Sequence, residues 1–202
     1  GLKLKKSLRD KEFVIKEVNH RVKNNLRMIV SMIKLQEQAG NINLSDLMSQ
    51  IDAIRIIHEK LYTAKDLANV HIEPYFNQLI DTIFNSFSKN KICMDLKFDD
   101  MTLNSKQMVT AGLLVTEIAT NAIKYGFESI DEPEFTLKME KREQHCHISI
   151  SNNGLPIPEH IDFDYPKTLG MRLIQALTEQ LGGKVELIKE PVSEYKISFK
   201  ID

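Results

Sequence analysis

The chain has 202 residues, with 27 Lys and Arg against 28 Asp and Glu, two cysteines and no tryptophan. That length suits one or two domains with a real core, and the balanced charge excludes a global field for nucleic acid or a membrane surface. Cys93 and Cys146 lack paired spacing, which argues against a disulfide framework or zinc site and for a reducing, cytoplasmic setting.

No apolar run approaches the ~18–20 residues of a membrane span and no signal peptide is visible, so no membrane contact is expected from this chain. The start Gly1-Leu2-Lys3, without Met, is expected to belong to a longer protein whose other parts carry sensor or membrane segments.

Residues 2–38 show helical periodicity without Pro or Gly, long for a globular helix and suited to a bundle or coiled coil. Apolar residues fall at Ile15, Val18, Val22, Leu26, Ile29 and Ile33, in steps of three and four. At about 100° per residue this is one narrow stripe, and His20 stands roughly 150° away from it. Lys16, Lys23, Asn24 and Arg27 share that outward face. An imidazole on a rigid helix, ringed by cations, suits an encounter with a phosphoryl group. An ordinary surface histidine is the competing reading.

Gly40-Asn41 stops this helix and Asn43 or Ser45 caps the next, which carries Leu47, Ile51, Ile54, Ile57, Leu61 and Tyr62 on one side. Two antiparallel helices with one stripe each cannot bury those stripes alone. A second copy completing a four-helix bundle is expected, hence a homodimer.

The texture changes after about Val70, placing a domain boundary between residues 69 and 70. Ile72–Ser88 reads as a helix with Pro74 in its first turn, and residues 92–98 alternate as a strand. Lys106–Tyr125 is a strong helix that Gly126 can end. Glu134–Glu140 and Cys146–Ser151 read as strands joined by the turn 141–144. Residues 155–167 form a loop with three prolines, Thr168–Leu181 a helix closed by Gly182-Gly183, and Val185–Lys189 and Tyr195–Ile201 two more strands. His145-Cys146-His147 has the composition of a metal cluster, but on an extended strand Cys146 faces away and leaves only two ligands. Helices followed by mixed helices and antiparallel strands predict an α-helical domain and then an α+β sandwich.

Within 106–125, Glu117, Asn121 and Lys124 share a face spread over about 60°. Met108, Ala111, Val115, Ile118, Ala119 and Ala122 occupy the other, core-building side. The carboxylate and amide can hold a hard cation or its waters, and the ammonium can pair with phosphate. A solvated face spaced for helix stability is the competing reading. Downstream, Asn152-Asn153-Gly154 at a strand end can read a base edge. Gly170 at a helix entry lets backbone N–H groups approach phosphates.

Taken in order, these pieces resemble a bacterial two-component sensor histidine kinase. His20-Arg21-Val22-Lys23-Asn24-Asn25-Leu26 resembles the phosphoacceptor box of the second histidine-kinase A class, close to the HWE-type kinases. Residues 116–127 (TEIATNAIKYGF) resemble that class's N box, and 168–174 (TLGMRLI) its second glycine box. The missing Trp sets the chain apart from the HWE subgroup proper.

The resemblance implies a helical hairpin, 1–69, forming a dimeric four-helix phosphoacceptor bundle, and an ATP-binding sandwich of the GHKL (Bergerat) type, 70–202. It implies His20 as phosphoacceptor, with Glu17 or Glu117 as proton acceptor and Asn24 as a candidate for phosphatase chemistry. Asn121 and Glu117 would hold Mg²⁺, and Lys124, Tyr125, Asn152, Gly154, Gly170 and Met171 would line the ATP site. The implied partner is a response-regulator receiver domain, with no nucleic acid.

The first glycine box departs from the family's pattern, with Asn152 at its Asp position and Pro156 at its second Gly. Val192-Ser193 replaces a late Gly-Thr. The Asn carbonyl can still accept from adenine's amino group, though more weakly than a carboxylate by ~1 kcal/mol. Pro156 would stiffen a lid that would normally flex. These changes motivate an alternative, a phosphotransfer or scaffold dimer with a degenerate nucleotide domain. A kinase with a protein Ser as acceptor is disfavoured by the long helix pair carrying His20.

Overall fold

The computed structural model describes residues 69–202 except 89–90, 160, 162–165 and 167, together with residues 27, 29–31, 33–34, 37–38, 44, 47–48, 51 and 55. The chain divides into two compact units, Gly1–Leu47 and Met48–Asp202. The described residues before 56 are helical. Among them Val30, Ile33, Leu44, Met48 and Ile51 are exposed apolar side chains. Glu17, His20 and Asn24 lie outside the described residues.

From residue 69 onward the fold is a two-layer sandwich. Strand β1 (Val70–His71) pairs antiparallel with β3 (Thr102–Leu103). Between them run helix α1 (Ile72–Phe87) and strand β2 (Cys93–Phe98). Helix α2 (Ser105–Asn121) follows, then β4 (Glu134–Arg142), β5 (His145–Asn152), α3 (Leu169–Gln180), β6 (Lys184–Ile188) and β7 (Glu194–Lys200). The main sheet has the order β2-β4-β5-β7-β6, with β2 and β4 parallel and the other neighbours antiparallel.

Strand periodicity places the core. Phe135, Leu137 and Met139 of β4, Cys146, Ile148 and Ile150 of β5, and Tyr195, Ile197 and Phe199 of β7 are all buried. They alternate with polar residues such as Lys138, Ser149 and Lys196 on the opposite face. Helix α1 presents Ile72, Tyr75, Phe76, Leu79, Ile80, Ile83 and Phe84 at helical spacing. Its Phe84 meets Phe135 edge-on at 5.0 Å, and Phe76 stacks on Phe98 at 6.2 Å. Such ring pairs add about 0.5–1.5 kcal/mol each beyond their burial.

Helix α2 lies between α1 and α3 and touches both. Its N-cap Asn104 accepts from the Gln107 N–H at 2.9 Å. Every residue from Thr110 to Thr120 is buried. The hydroxyls of Thr110, Thr116 and Thr120 donate to carbonyls one turn back, so burial leaves them satisfied. Gln107 fastens the helix to the chain end by donating to the Lys200 carbonyl at 2.8 Å and accepting from the Asp202 N–H.

The expected elements after Val70 form within a residue or two of their boundaries. The β4–β5 turn is tighter than expected: the ladder runs to Arg142 opposite His145, and Glu143 takes a φ of 55°. The β1–β3 pair was not anticipated, because two residues per strand carry no periodicity. Cys146 is buried on the inner side of β5 while His145 and His147 lie on the other, as the strand reading required. Among the described residues no helix is long and apolar enough to cross a membrane.

Candidate functional site

Three glycines and the C-terminal end of α2 define the site. Regular α-helix holds through Asn121, and residues Ala122–Gly126 then open into a wider π-helical turn, closed by the Phe127 N–H donating to the Ala122 carbonyl at 2.8 Å. Glu117 and Asn121 therefore keep their i, i+4 relation. Lys124 and Tyr125 do not continue it, since the wide turn changes the angle per residue. This corrects the expected single face of Glu117, Asn121 and Lys124. Lys124 is exposed, and Tyr125 is 64% exposed.

A second correction concerns Glu117. Helical periodicity placed it on an outward face, yet it is only 8% exposed, because the start of α3 covers it. A Cβ built on Gly170 would stand 2.8 Å from Glu117 Oε1 and 3.2 Å from Asn121 Nδ2. A side chain at 170 would push the ends of both groups aside, so glycine lets α3 approach closely and brings Glu117, Asn121 and Gly170 together. Thr168 caps α3 and accepts from the Met171 N–H at 3.3 Å. The Met171 side chain is buried. It packs at the start of α3, beside Gly170.

The end of β5 meets the other side of the π-helical turn. Asn152 Oδ1 accepts from the Gly154 N–H at 2.9 Å, and the Leu155 N–H donates to the Gly126 carbonyl at 2.7 Å. A Cβ on Gly154 would lie 2.4 Å from that carbonyl oxygen, so this residue too is required by close approach. The two adjacent asparagines divide the work. Asn153 is committed to the scaffold, accepting from the Glu134 N–H at 2.8 Å and donating to the Glu132 carbonyl at 2.9 Å. Asn152 is half-buried beside Gly126 and Gly154.

Tyr195 was missed by the sequence reading. It alternates with Ile197 and Phe199 on the inner face of β7, where a tyrosine reads as core. It is 7% exposed, and burial, with the Glu117 carboxylate as a second cause, pushes its phenol up to about 12. The phenol and the carboxylate thus share one low-dielectric pocket.

Chemically, the cluster offers one carboxylate and one amide, hard oxygen donors suited to a hard cation. Among the described residues no three His, Cys, Asp or Glu side chains gather in a metal cage. A cation held by Glu117 and Asn121 would need water and ligand oxygens to complete its shell, the usual situation for Mg²⁺ beside phosphates.

Residues 17–87 match the family described as "Histidine kinase", and residues 109–202 the family described as "Histidine kinase-, DNA gyrase B-, and HSP90-like ATPase". The chain is 25% identical to Blue-light-activated histidine kinase 2 of Erythrobacter litoralis, over 86% of this chain and 52% of that protein. It is 22% identical to Sensor histidine kinase PdtaS of Mycobacterium tuberculosis, over 85% and 36%. The chain thus spans about half or less of the curated relatives it matches. Among solved structures, the histidine kinase domain of the E. litoralis EL346 blue-light activated kinase superposes with a TM-score of 0.74 at 24% identity, covering 92% of this chain and 89% of that one. The Acinetobacter baumannii histidine kinase AdeS does so with a TM-score of 0.53 at 14% identity, covering 91% and 98%. These structural likenesses establish the fold.

Proposed function

The chain belongs to the histidine kinases, joining that family's helical module to its ATPase module, and we propose that it phosphorylates its own His20 from ATP and passes the phosphoryl group to an aspartate of a response-regulator receiver domain. The observation that carries this reading is the convergence of Glu117, Asn121 and Gly170 beside Asn152 and Gly154, at one end of α2. A core-only role for this helix end would not require a glycine packed on two polar side chains.

Asn121 and Glu117 would hold Mg²⁺, which when bound neutralises charge on the phosphates. Lys124 brings an ammonium to the phosphate side, and the N-terminus of α3 adds its positive dipole end, with Gly170 leaving the backbone open. Asn152 and Gly154 line the base side. In the transfer, a neutral imidazole nitrogen of His20 attacks the γ-phosphorus. The N–P bond forms as the bond to the β–γ bridging oxygen breaks, and ADP leaves. The imidazole proton goes to Glu17 or Glu117, and Asn24 is the candidate for orienting a water in a phosphatase reaction, in which water accepts the phosphoryl group and inorganic phosphate leaves. The bundle of residues 1–69 pairs with a second copy, residues 70–202 carry the nucleotide site, and the setting is cytoplasmic.

The test is incubation with γ-labelled ATP and Mg²⁺. The expected product is a phosphoprotein labile in acid and stable in alkali, absent from His20→Gln. Equal labelling of His20→Gln would end the assignment.

A further inference from the structure

We propose that the nucleotide site is not selective for adenine: it takes a 6-oxopurine nucleoside triphosphate, of the guanine or hypoxanthine type, at least as well as ATP, with Asn152 as the specificity-determining residue. This rests on reading Asn152 as the base-side residue of that site.

The argument starts from one hydrogen bond. The Gly154 N–H can only donate, so the Asn152 atom 2.9 Å from it must be the carbonyl oxygen. That fixes which way round the amide sits, and the NH₂ group occupies the other branch. Flipping the amide would set donor against donor and orphan a backbone N–H. The oxygen lies against two glycines, where a Cβ built on Gly154 would come within 2.6 Å of it and one built on Gly126 within 3.1 Å. Among the described residues no hydrogen bond engages Asn152 Nδ2.

The Asn152 carbonyl, expected to accept from adenine's amino group, is already engaged by the Gly154 N–H. A carboxylate at this position would keep a second acceptor after satisfying Gly154. An amide presents two N–H donors there instead. The 6-amino group of adenine meets those donors with another donor, whereas the O6 of a 6-oxopurine meets them with an acceptor. Asn153 cannot compensate, since both ends of its amide are bound to backbone of the segment 132–134.

The experiment measures ATP and ITP binding to the full chain with Mg²⁺, by displacement of a fluorescently tagged nucleotide, in wild type and Asn152→Asp. ITP replaces the 6-amino group by oxygen without adding the 2-amino group of guanine, so position 6 is isolated. Wild type is expected to bind ITP at least as tightly as ATP. Asn152→Asp is expected to move the ratio toward ATP by about fivefold or more, the value of exchanging one opposed pair for one hydrogen bond. Tighter binding of ATP than ITP by wild type overturns the proposal, as does a smaller shift in the variant. If neither protein binds either nucleotide while both unfold cooperatively, the reading of the site itself has failed.

Discussion

Gly170→Ala isolates the contact on which the site depends. Its Cβ would stand 2.8 Å from Glu117 Oε1, ~0.6 Å short of the 3.4 Å at which ordinary contact begins, and 3.2 Å from Asn121 Nδ2. Glu117 is buried against the start of α3, so its carboxylate must shift for the Cβ to fit. For stability, alanine in a helix gains roughly 0.5–1 kcal/mol over glycine, and overpacking costs about 1–3 kcal/mol. The two nearly offset, and the variant should fold with an unfolding free energy lower by no more than about 2 kcal/mol.

Activity should respond far more. Moving Glu117 Oε1 by ~0.6 Å and Asn121 Nδ2 by ~0.2 Å, where a misplacement of about 1 Å can cost on the order of 10²-fold, should lower the rate by about tenfold or more. The assay pairs denaturant unfolding with initial rates of label incorporation over a range of ATP concentrations. Gly183→Ala is the control: its Cβ would press at 2.5 Å on the Ser198 carbonyl oxygen, a backbone clash away from the site. It should lose stability but keep its rate per folded molecule. Wild-type rates in Gly170→Ala, or a loss that merely follows unfolding in both variants, would refute the reasoning.

The two thiols should separate cleanly. Cys93 is exposed, whereas Cys146 is fully buried and burial pushes its thiol up to about 12. A thiol reagent should therefore titrate one group per folded chain and two in denaturant; comparable rates for both would contradict the packing of β5. Tyr195 governs an alkaline limit. Its phenol is raised to about 12 in the fold from 10.0, so the folded state favours the protonated form. That stability is fully present below about pH 10 and is lost as pH rises toward 12. Tyr195→Phe should flatten the decline of the denaturation midpoint across that window, and an unchanged slope would show that the phenol is not held as described. Replacing the α2 cap, Asn104→Ala, should cost about 1 kcal/mol by denaturant unfolding; no loss would mean the bond to the Gln107 N–H contributes nothing net.

Much of this architecture is written in periodicity. Alternation in β4, β5 and β7 and the stripe of α1 identify the core, because each element has one wet face. Helix α2 defeats the same logic. A helix covered on all sides and a helix with one polar face both contain Glu117 and Asn121. What decides between them is Gly170, some fifty residues later in the chain. The wide turn at Ala122–Gly126 leaves no periodic trace, so regular helical spacing puts Lys124 on the face of Glu117 and Asn121. The orientation of the Asn152 amide depends on the direction of the Gly154 N–H, a backbone property of a turn. Tyr195 was hidden by a pattern in which any aromatic is core, and its hydroxyl acquires meaning only from Glu117 on another element.

The most direct test of the account is to map the phosphate by mass spectrometry in alkali after reaction with ATP and Mg²⁺, in wild type and in Asn121→Ala. The account predicts phosphate on His20 in wild type and none in Asn121→Ala, with both proteins folded. Phosphate on another residue, or on His20 undiminished without Asn121, would contradict it.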